Sequence, residues 1–184
     1  MNRAVDLLLT LPALLVLSPV LLGASLAIAL KTGRPVLFRQ TRVGLGGREF
    51  GMYKFRSMQA DAASTGPHYT DAGDPRVTGV GRFIRRTSID ELPQLFNVLR
   101  GDMSLVGPRP DVPVQRSLYT QAEWVERCSV RPGITGLAQA TVRSDASIGQ
   151  RLALDLRYVR EADFWLDMKI LGLTLARLGR GGGT

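Results

Sequence analysis

From Leu7 to Leu30 the chain carries no charged residue, whereas beyond Lys31 apolar and polar positions alternate in short runs. As one helix, those 24 residues would measure roughly 36 Å against a hydrocarbon core of about 30 Å, so length permits a full crossing. The interior of the run argues for another course. Pro12 and Pro19 each lack an N–H and each clash with the carbonyl four residues back, at about 3 kcal/mol in an ordinary helix. Ser18-Pro19 lies mid-run, where the Ser18 hydroxyl can bond a nearby carbonyl and make a bend tolerable in lipid. A helix bent there would enter one leaflet and return, with both ends on one side. Three other readings stand beside it: a straight or mildly kinked transmembrane helix, a cleaved signal peptide ending near Ala27-Ile28-Ala29, and a buried hairpin.

After Lys31 the pattern predicts a compact α+β unit without internal repeats. Val36–Gln40 and Glu49–Lys54 read as two short strands joined through Gly44, Gly46 and Gly47. Asp61–Gly81, rich in Gly, Asp, Ser, Thr and Pro, reads as a loop carrying His68. A helix is expected from Ser88 to about Leu99, followed by two Gly/Pro-rich segments, Gly107–Pro113 and Arg131–Gly136. Helices near Gln121–Cys128, Ser147–Glu161 and Phe164–Leu178 complete the chain. The last is apolar around most of its circumference, interrupted by Asp167 and Lys169. It suits either the core or a membrane interface with Trp165 at headgroup level.

Charge sharpens this picture. The 184 residues hold 24 Lys+Arg and 16 Asp+Glu, a formal charge of +8, which favours an anionic partner. Residues 31–60 contribute +6 of it, through Lys31, Arg34, Arg39, Arg42, Arg48, Lys54 and Arg56 against Glu49. By the positive-inside rule that stretch is cytoplasmic, and the charge by itself requires no more than attraction to anionic lipid. With one cysteine, Cys128, and one histidine, His68, an internal disulfide framework, a Cys-rich zinc module and a HExxH zinc site are excluded. A nucleic-acid module is disfavoured too. The aromatics among these cations (Phe38, Phe50, Tyr53, Phe55) fit strand core better than base stacking.

Candidate chemistry is concentrated in Arg85-Arg86-Thr-Ser-Ile-Asp90-Glu91-Leu-Pro-Gln94. With Ser88 as N-cap, Asp90 and Glu91 fall in the first turn, at the positive end of the helix dipole and near two arginines, which favours ionised carboxylates. One such carboxylate can attack phosphorus, and a second can hold Mg²⁺. The same spacing is also a plain capping box, with Glu91 bonding back to the Ser88 N–H. Downstream, Gly107-Pro108-Arg109-Pro110 presents one guanidinium from a stiff loop, suited to phosphate and equally to a surface turn. No Walker A or dinucleotide glycine loop is present.

Lys54-Phe-Arg-Ser-Met58, the run from Ser88 to Pro110 (SIDELPQLFNVLRGDMSLVGPRP) and Val130-Arg-Pro-Gly-Ile-Thr-Gly-Leu-Ala-Gln139 occur in that order. Together they closely resemble the monotopic phosphoglycosyl transferases of the bacterial sugar transferase family. The resemblance runs from Arg3-x-x-Asp6, through Ser18-Pro19, to Leu154-Asp155 and Leu166-Asp-Met-Lys-Ile170.

It implies transfer of a phosphosugar from a UDP-sugar to polyprenol (undecaprenyl) phosphate, with release of UMP, as the first membrane step of a glycoconjugate or exopolysaccharide pathway. Carried over by position, Asp90 is the nucleophile that becomes an aspartyl phosphosugar, and Glu91 the Mg²⁺ ligand. Lys54, Arg85 and Arg109 line the phosphate and nucleotide site, with Gln139 and Arg143 as further substrate-binding candidates. The implied architecture is α+β and mostly helical. A re-entrant helix–break–helix (1–30, bend at Ser18 and Pro19) precedes a cytoplasmic catalytic domain (31–180) with a small β-hairpin and interfacial amphipathic helices. A flexible tail (181–184) ends the chain, and the setting is the cytoplasmic face of the bacterial inner membrane. The chain resembles the small, catalytic-domain-only members. It departs from the common Gly-Trp-Ala-Gln-Val-Asn-Gly-Arg-Asn pattern at Leu137 and Thr141-Val142, where base or sugar contacts are expected. The alternative is a non-catalytic, membrane-anchored binder of anionic lipid or polyprenol phosphate.

Overall fold

The computed structural model describes residues 2–59, 74–142 and 146–179, so His68 and Arg143 lie outside the described residues. Helix α1, Arg3–Thr32, is capped by the Asn2 side chain and exposes most of its length. It is long and apolar enough to cross a membrane. α1 stays helical through both prolines, so Ser18-Pro19 is a site for a bend within one helix and not a non-helical gap between two. Pro19 leaves the Leu15 carbonyl without its donor, and Ser18 Oγ donates to that carbonyl at 2.8 Å.

Both ends of α1 are fastened to the same folded unit. At the start, Arg3 Nη2 donates to Leu99 O at 2.6 Å and Nη1 to Val98 O, while Asp6 Oδ1 accepts from Ser104 Oγ and Leu105 N, both at 2.9 Å. At the end, Ile28 packs with Phe55 and Ile84, and Arg56 Nη2 donates to the carbonyls of Thr32 and Gly33, each at 2.6 Å. A straight helix of 30 residues would hold those ends roughly 45 Å apart. Between the anchors Leu11, Leu15, Val16, Leu22 and Leu26 stand exposed.

Strands β1 (Leu37–Val43) and β2 (Glu49–Phe55) form the expected antiparallel hairpin, longer than the alternation suggested, with Leu37 opposite Phe55 and Val43 opposite Glu49. The buried Asn97 of α3 (Gln94–Arg100) completes the free edge of β2. Its Oδ1 accepts from Tyr53 N at 2.9 Å and its Nδ2 donates to Gly51 O at 2.8 Å. Helix α2 (Gly79–Arg86) takes the end of what the composition marked as loop. Thr78 caps it, and a Cβ on Gly81 would lie 1.9 Å from Ser57 O, so the glycine is what lets α2 sit against the exit of β2.

A second, parallel pair joins β3 (Ser104–Val106), just before the first Gly/Pro-rich segment, to β4 (Gly133–Thr135), inside the second. Cβ atoms at Gly107 and Gly133 would meet the opposing backbone at 2.3 and 2.1 Å. Glycine there marks close approach of two chains rather than a turn. Gly133→Ala should cost about 3 kcal/mol or more, read as a fall in thermal midpoint.

Helices α4 (Gln121–Arg127), α5 (Leu137–Thr141), α6 (Ile148–Glu161) and α7 (Phe164–Gly179) surround this pair; α5 was not expected. Val106, Leu137, Ala140, Tyr158 and Ile170 form a core shared by β3, α5, α6 and α7. Helix α7 packs one face into the core and leaves the other exposed. Ile170 and Asp167 are buried, the latter accepting from Tyr158 Oη at 2.8 Å, while Phe164, Trp165 and Leu175 face outward.

Candidate active site

The helix expected to start at Ser88 does not. Ser88 sits in the left-handed region (φ 55°) with no capping bond, a short 3₁₀ turn spans Ile89–Glu91, and α3 begins at Gln94 after Pro93. A left-handed non-glycine residue costs about 1–3 kcal/mol and persists where the surroundings over-determine it. Here Ile89 is held against the Ile28–Phe55–Ile84 cluster. The capping box is therefore absent, and the Glu91 carboxylate points to other partners.

Those partners come from two distant elements. Glu91 Oε1 accepts from Lys54 Nζ of β2 at 2.8 Å and from Arg109 Nη2, on the loop after β3, at 2.7 Å. Burial raises the Glu91 pKa, but Arg109 and then Lys54 outweigh it and hold the carboxyl at about 2. Glu91 in turn raises the Arg109 pKa against the desolvation of its guanidinium. Lys54 is pulled below its ordinary value because burial outweighs the attraction of Glu91.

Asp90 differs from its neighbour. It is 9% exposed, and no other side chain bonds it among the described residues. Desolvation raises its pKa, against Lys54 and, more weakly, Arg85. This corrects the expectation that dipole and arginines together favour ionisation: a single 3₁₀ turn supplies little dipole, and burial dominates. Arg85 is fixed by its Nε, which donates to Ser57 Oγ at 2.8 Å. Arg86 is exposed.

Asp90, Glu91, Lys54, Arg109 and Arg85 thus converge. Gln139 does not join them; on α5 its Nε2 donates to Ile134 O at 3.0 Å and its Oε1 is buried without a partner. Two arginines missed from the sequence, Arg42 and Arg127, support the Arg109 loop from behind. Arg42 read as juxtamembrane charge and Arg127 fell unremarked within an expected helix, and no local pattern distinguishes them. Two hollows, of about 600 and 550 Å³, lie beside the end of α1 rather than at the carboxylates; Lys31, Thr32 and Thr78 line the larger, Leu22, Leu26 and Val36 the smaller.

Residues 1–181 match the family described as bacterial sugar transferase. The chain belongs to that family. It is 49% identical, over 96% of its length, to an undecaprenyl-phosphate glucose phosphotransferase of Komagataeibacter xylinus, of which it spans 35%. It is 43% identical, over 95%, to the UDP-glucose:undecaprenyl-phosphate glucose-1-phosphate transferase of Escherichia coli K12, spanning 39% of that protein. Against an exopolysaccharide production protein of Rhizobium leguminosarum it is 43% identical over its whole length and 98% of the relative. The convergent carboxylates and cations are therefore the candidate active site of a bacterial sugar transferase domain.

Among the described residues no three His, Cys, Asp or Glu side chains gather as a metal cage. A Mg²⁺ ion held by one or two carboxylates and completed by substrate phosphates does not need one. The donor set of this sugar transferase fits such an ion. Glu91 is ionised, both cations bond its Oε1, and Oε2 takes no hydrogen bond among the described residues.

Proposed function

We propose that this domain transfers a phosphosugar from a UDP-sugar to polyprenol phosphate through an intermediate on Asp90. The observation that carries the reading is the contrast between two adjacent carboxylates. Glu91 is clamped and ionised by Lys54 and Arg109, while Asp90 is poorly solvated and free of side-chain bonds. An ionised oxygen of Asp90 attacks the sugar-bearing phosphorus. That P–O bond forms as the bond to the bridging oxygen breaks, and UMP departs with the electron pair. An oxygen of polyprenol phosphate then attacks the same phosphorus and displaces Asp90, leaving polyprenyl diphosphate sugar.

Lys54, Arg85 and Arg109 place positive charge where the phosphoryl oxygens gather it, a stabilisation that increases as the site dries. Glu91 would hold Mg²⁺, which supplies further charge neutralisation at the diphosphate. The names of the relatives, two of them glucose-1-phosphate or glucose phosphotransferases acting with undecaprenyl phosphate, support this substrate class. The test is UMP release, screened across UDP-sugars with Mg²⁺. Release from at least one, dependent on polyprenol phosphate, is expected. A protein that binds polyprenol phosphate and releases no UMP from any of them is the membrane-anchored binder instead.

The same reading places the domain on the cytoplasmic face of the membrane, with α1 entering and leaving one leaflet around Ser18-Pro19. The docking of Arg3, Asp6, Ile28 and Thr32 on one unit supports it, since a helix crossing straight would carry one set of anchors to the far side. A cysteine placed at Asn2 should react with an impermeant thiol reagent only after the cytoplasm is opened; Cys128 is buried and stays silent. Replacing Ser18-Pro19 by Ala-Ala returns a backbone donor to Leu15 O. It should move part of the population to outside labelling, opposed by Arg3 under the positive-inside rule and by the Arg3 and Asp6 bonds. Outside labelling in the unaltered Ser18-Pro19 background would overturn the re-entrant course.

A further inference from the structure

Pro108 and Pro110 have no N–H, so the loop that presents Arg109 lacks two of its own backbone donors. Its four successive carbonyls are instead each taken by a different donor. Pro108 O accepts from Gly133 N at 2.9 Å, Arg109 O from Arg127 Nη2 at 2.6 Å, Pro110 O from Arg42 Nη1 at 2.9 Å and Asp111 O from Val43 N at 2.9 Å. Two donors are backbone groups supplied by the fold. The other two are guanidiniums, and Arg127 is the more deeply committed. It is buried, its Nη1 forms an ion pair with Asp111 Oδ2 at 2.6 Å that lacks hydrogen-bond alignment, its Nε donates to Asp155 Oδ2 of α6 at 3.0 Å, and its Nη2 lies 2.9 Å from that same oxygen. It contacts neither Asp90 nor Glu91 among the described residues.

A buried ion pair contributes little net stability by itself, because desolvation offsets the attraction. Geometry is what this one supplies. A planar guanidinium held on two sides by carboxylates has its remaining direction fixed, and that direction is the carbonyl of Arg109. Taking the proposed phosphosugar transfer as its basis, we propose that Arg127 is a positioning residue that, clamped between Asp111 and Asp155, holds the main chain of Arg109 so that its guanidinium stays on Glu91 and the phosphate site. A 1 Å error in such a clamp can cost on the order of 10²-fold in rate.

The experiment is a double-mutant cycle on UMP release, joined to hydrogen exchange of the unliganded protein. Arg127→Lys keeps a cation between Asp111 and Asp155 but cannot span both carboxylates and the Arg109 carbonyl; Arg127→Met removes the charge as well. Arg127→Lys should lower kcat/KM by on the order of 10²-fold and raise exchange over residues 107–112, leaving α6 and the β1–β2 hairpin as protected as before. In an Arg109→Ala background the same substitution should cost less than about twofold, because a strut cannot act through a side chain that is gone. Equal losses in both backgrounds, full activity in Arg127→Lys, or unchanged exchange over 107–112 would each overturn the assignment. If the parent protein released no UMP at all, the proposed function would fall, and the exchange comparison would still decide whether Arg127 holds the loop.

Discussion

Replacing Asp90 by Asn is expected to stop turnover, with kcat falling by on the order of 10⁴-fold or more, while the fold keeps or slightly gains stability. An amide nitrogen and a neutral carbonyl cannot displace UMP and carry the phosphosugar as an acyl phosphate. The stability side follows from the same burial. Folding disfavours the charged form of Asp90, so a neutral isostere relieves a cost. The parent protein incubated with UDP-sugar alone should gain the mass of one phosphosugar, and peptide mapping should place it on Asp90. An Asn variant with normal turnover, or an adduct on another residue, would end the assignment.

Glu91→Gln should also be severe, for a different reason. The amide keeps the shape, but two cations lose the charge they share at Oε1, and Lys54 is left partly buried beside Arg109. Turnover should drop by about 10²-fold to 10³-fold, as when one electrostatic stabiliser is lost from an active site. The Mg²⁺ concentration for half-maximal rate should rise. Stability should fall by only about 1–2 kcal/mol, since the pair is partly solvated. Gln also serves in a capping box, so a residue that only capped a helix would survive the change in both respects. Undiminished turnover with an unchanged Mg²⁺ requirement would reduce Glu91 to a partner in an ordinary ion pair.

Much of the site was legible in one stretch of sequence because its parts are close along the chain or stiffened locally. Asp90-Glu91 and Gly107-Pro-Arg-Pro110 could be named as candidates from residue type alone. Their meaning could not be separated from a capping box or a surface turn, since both readings use the same spacing. The Ser88 backbone decided between them. A left-handed residue there tips the dyad out of the helix, and that conformation is set by how Ile89 packs against α1, β2 and α2.

Local pattern by itself determined the apolar α1 segment, the β1–β2 hairpin, the three helices α4, α6 and α7, and the donor that repairs Pro19. Each depends on residues within a few positions of one another, where propensity and periodicity act. Tertiary structure alone decided the rest. Gly107 and Gly133 proved to be contact points between parallel strands, because only the opposing chain shows what a Cβ would strike. Asp90 proved harder to ionise than its neighbouring arginines suggest, because desolvation is set by everything packed around it. Lys54 and Arg109 meet on one oxygen of Glu91 because Asn97 fixes the edge of β2 and four separate donors fix the loop. Charge attraction of this kind acts through space over a few ångströms, and no spacing along the chain encodes which distant residues folding will bring within that range.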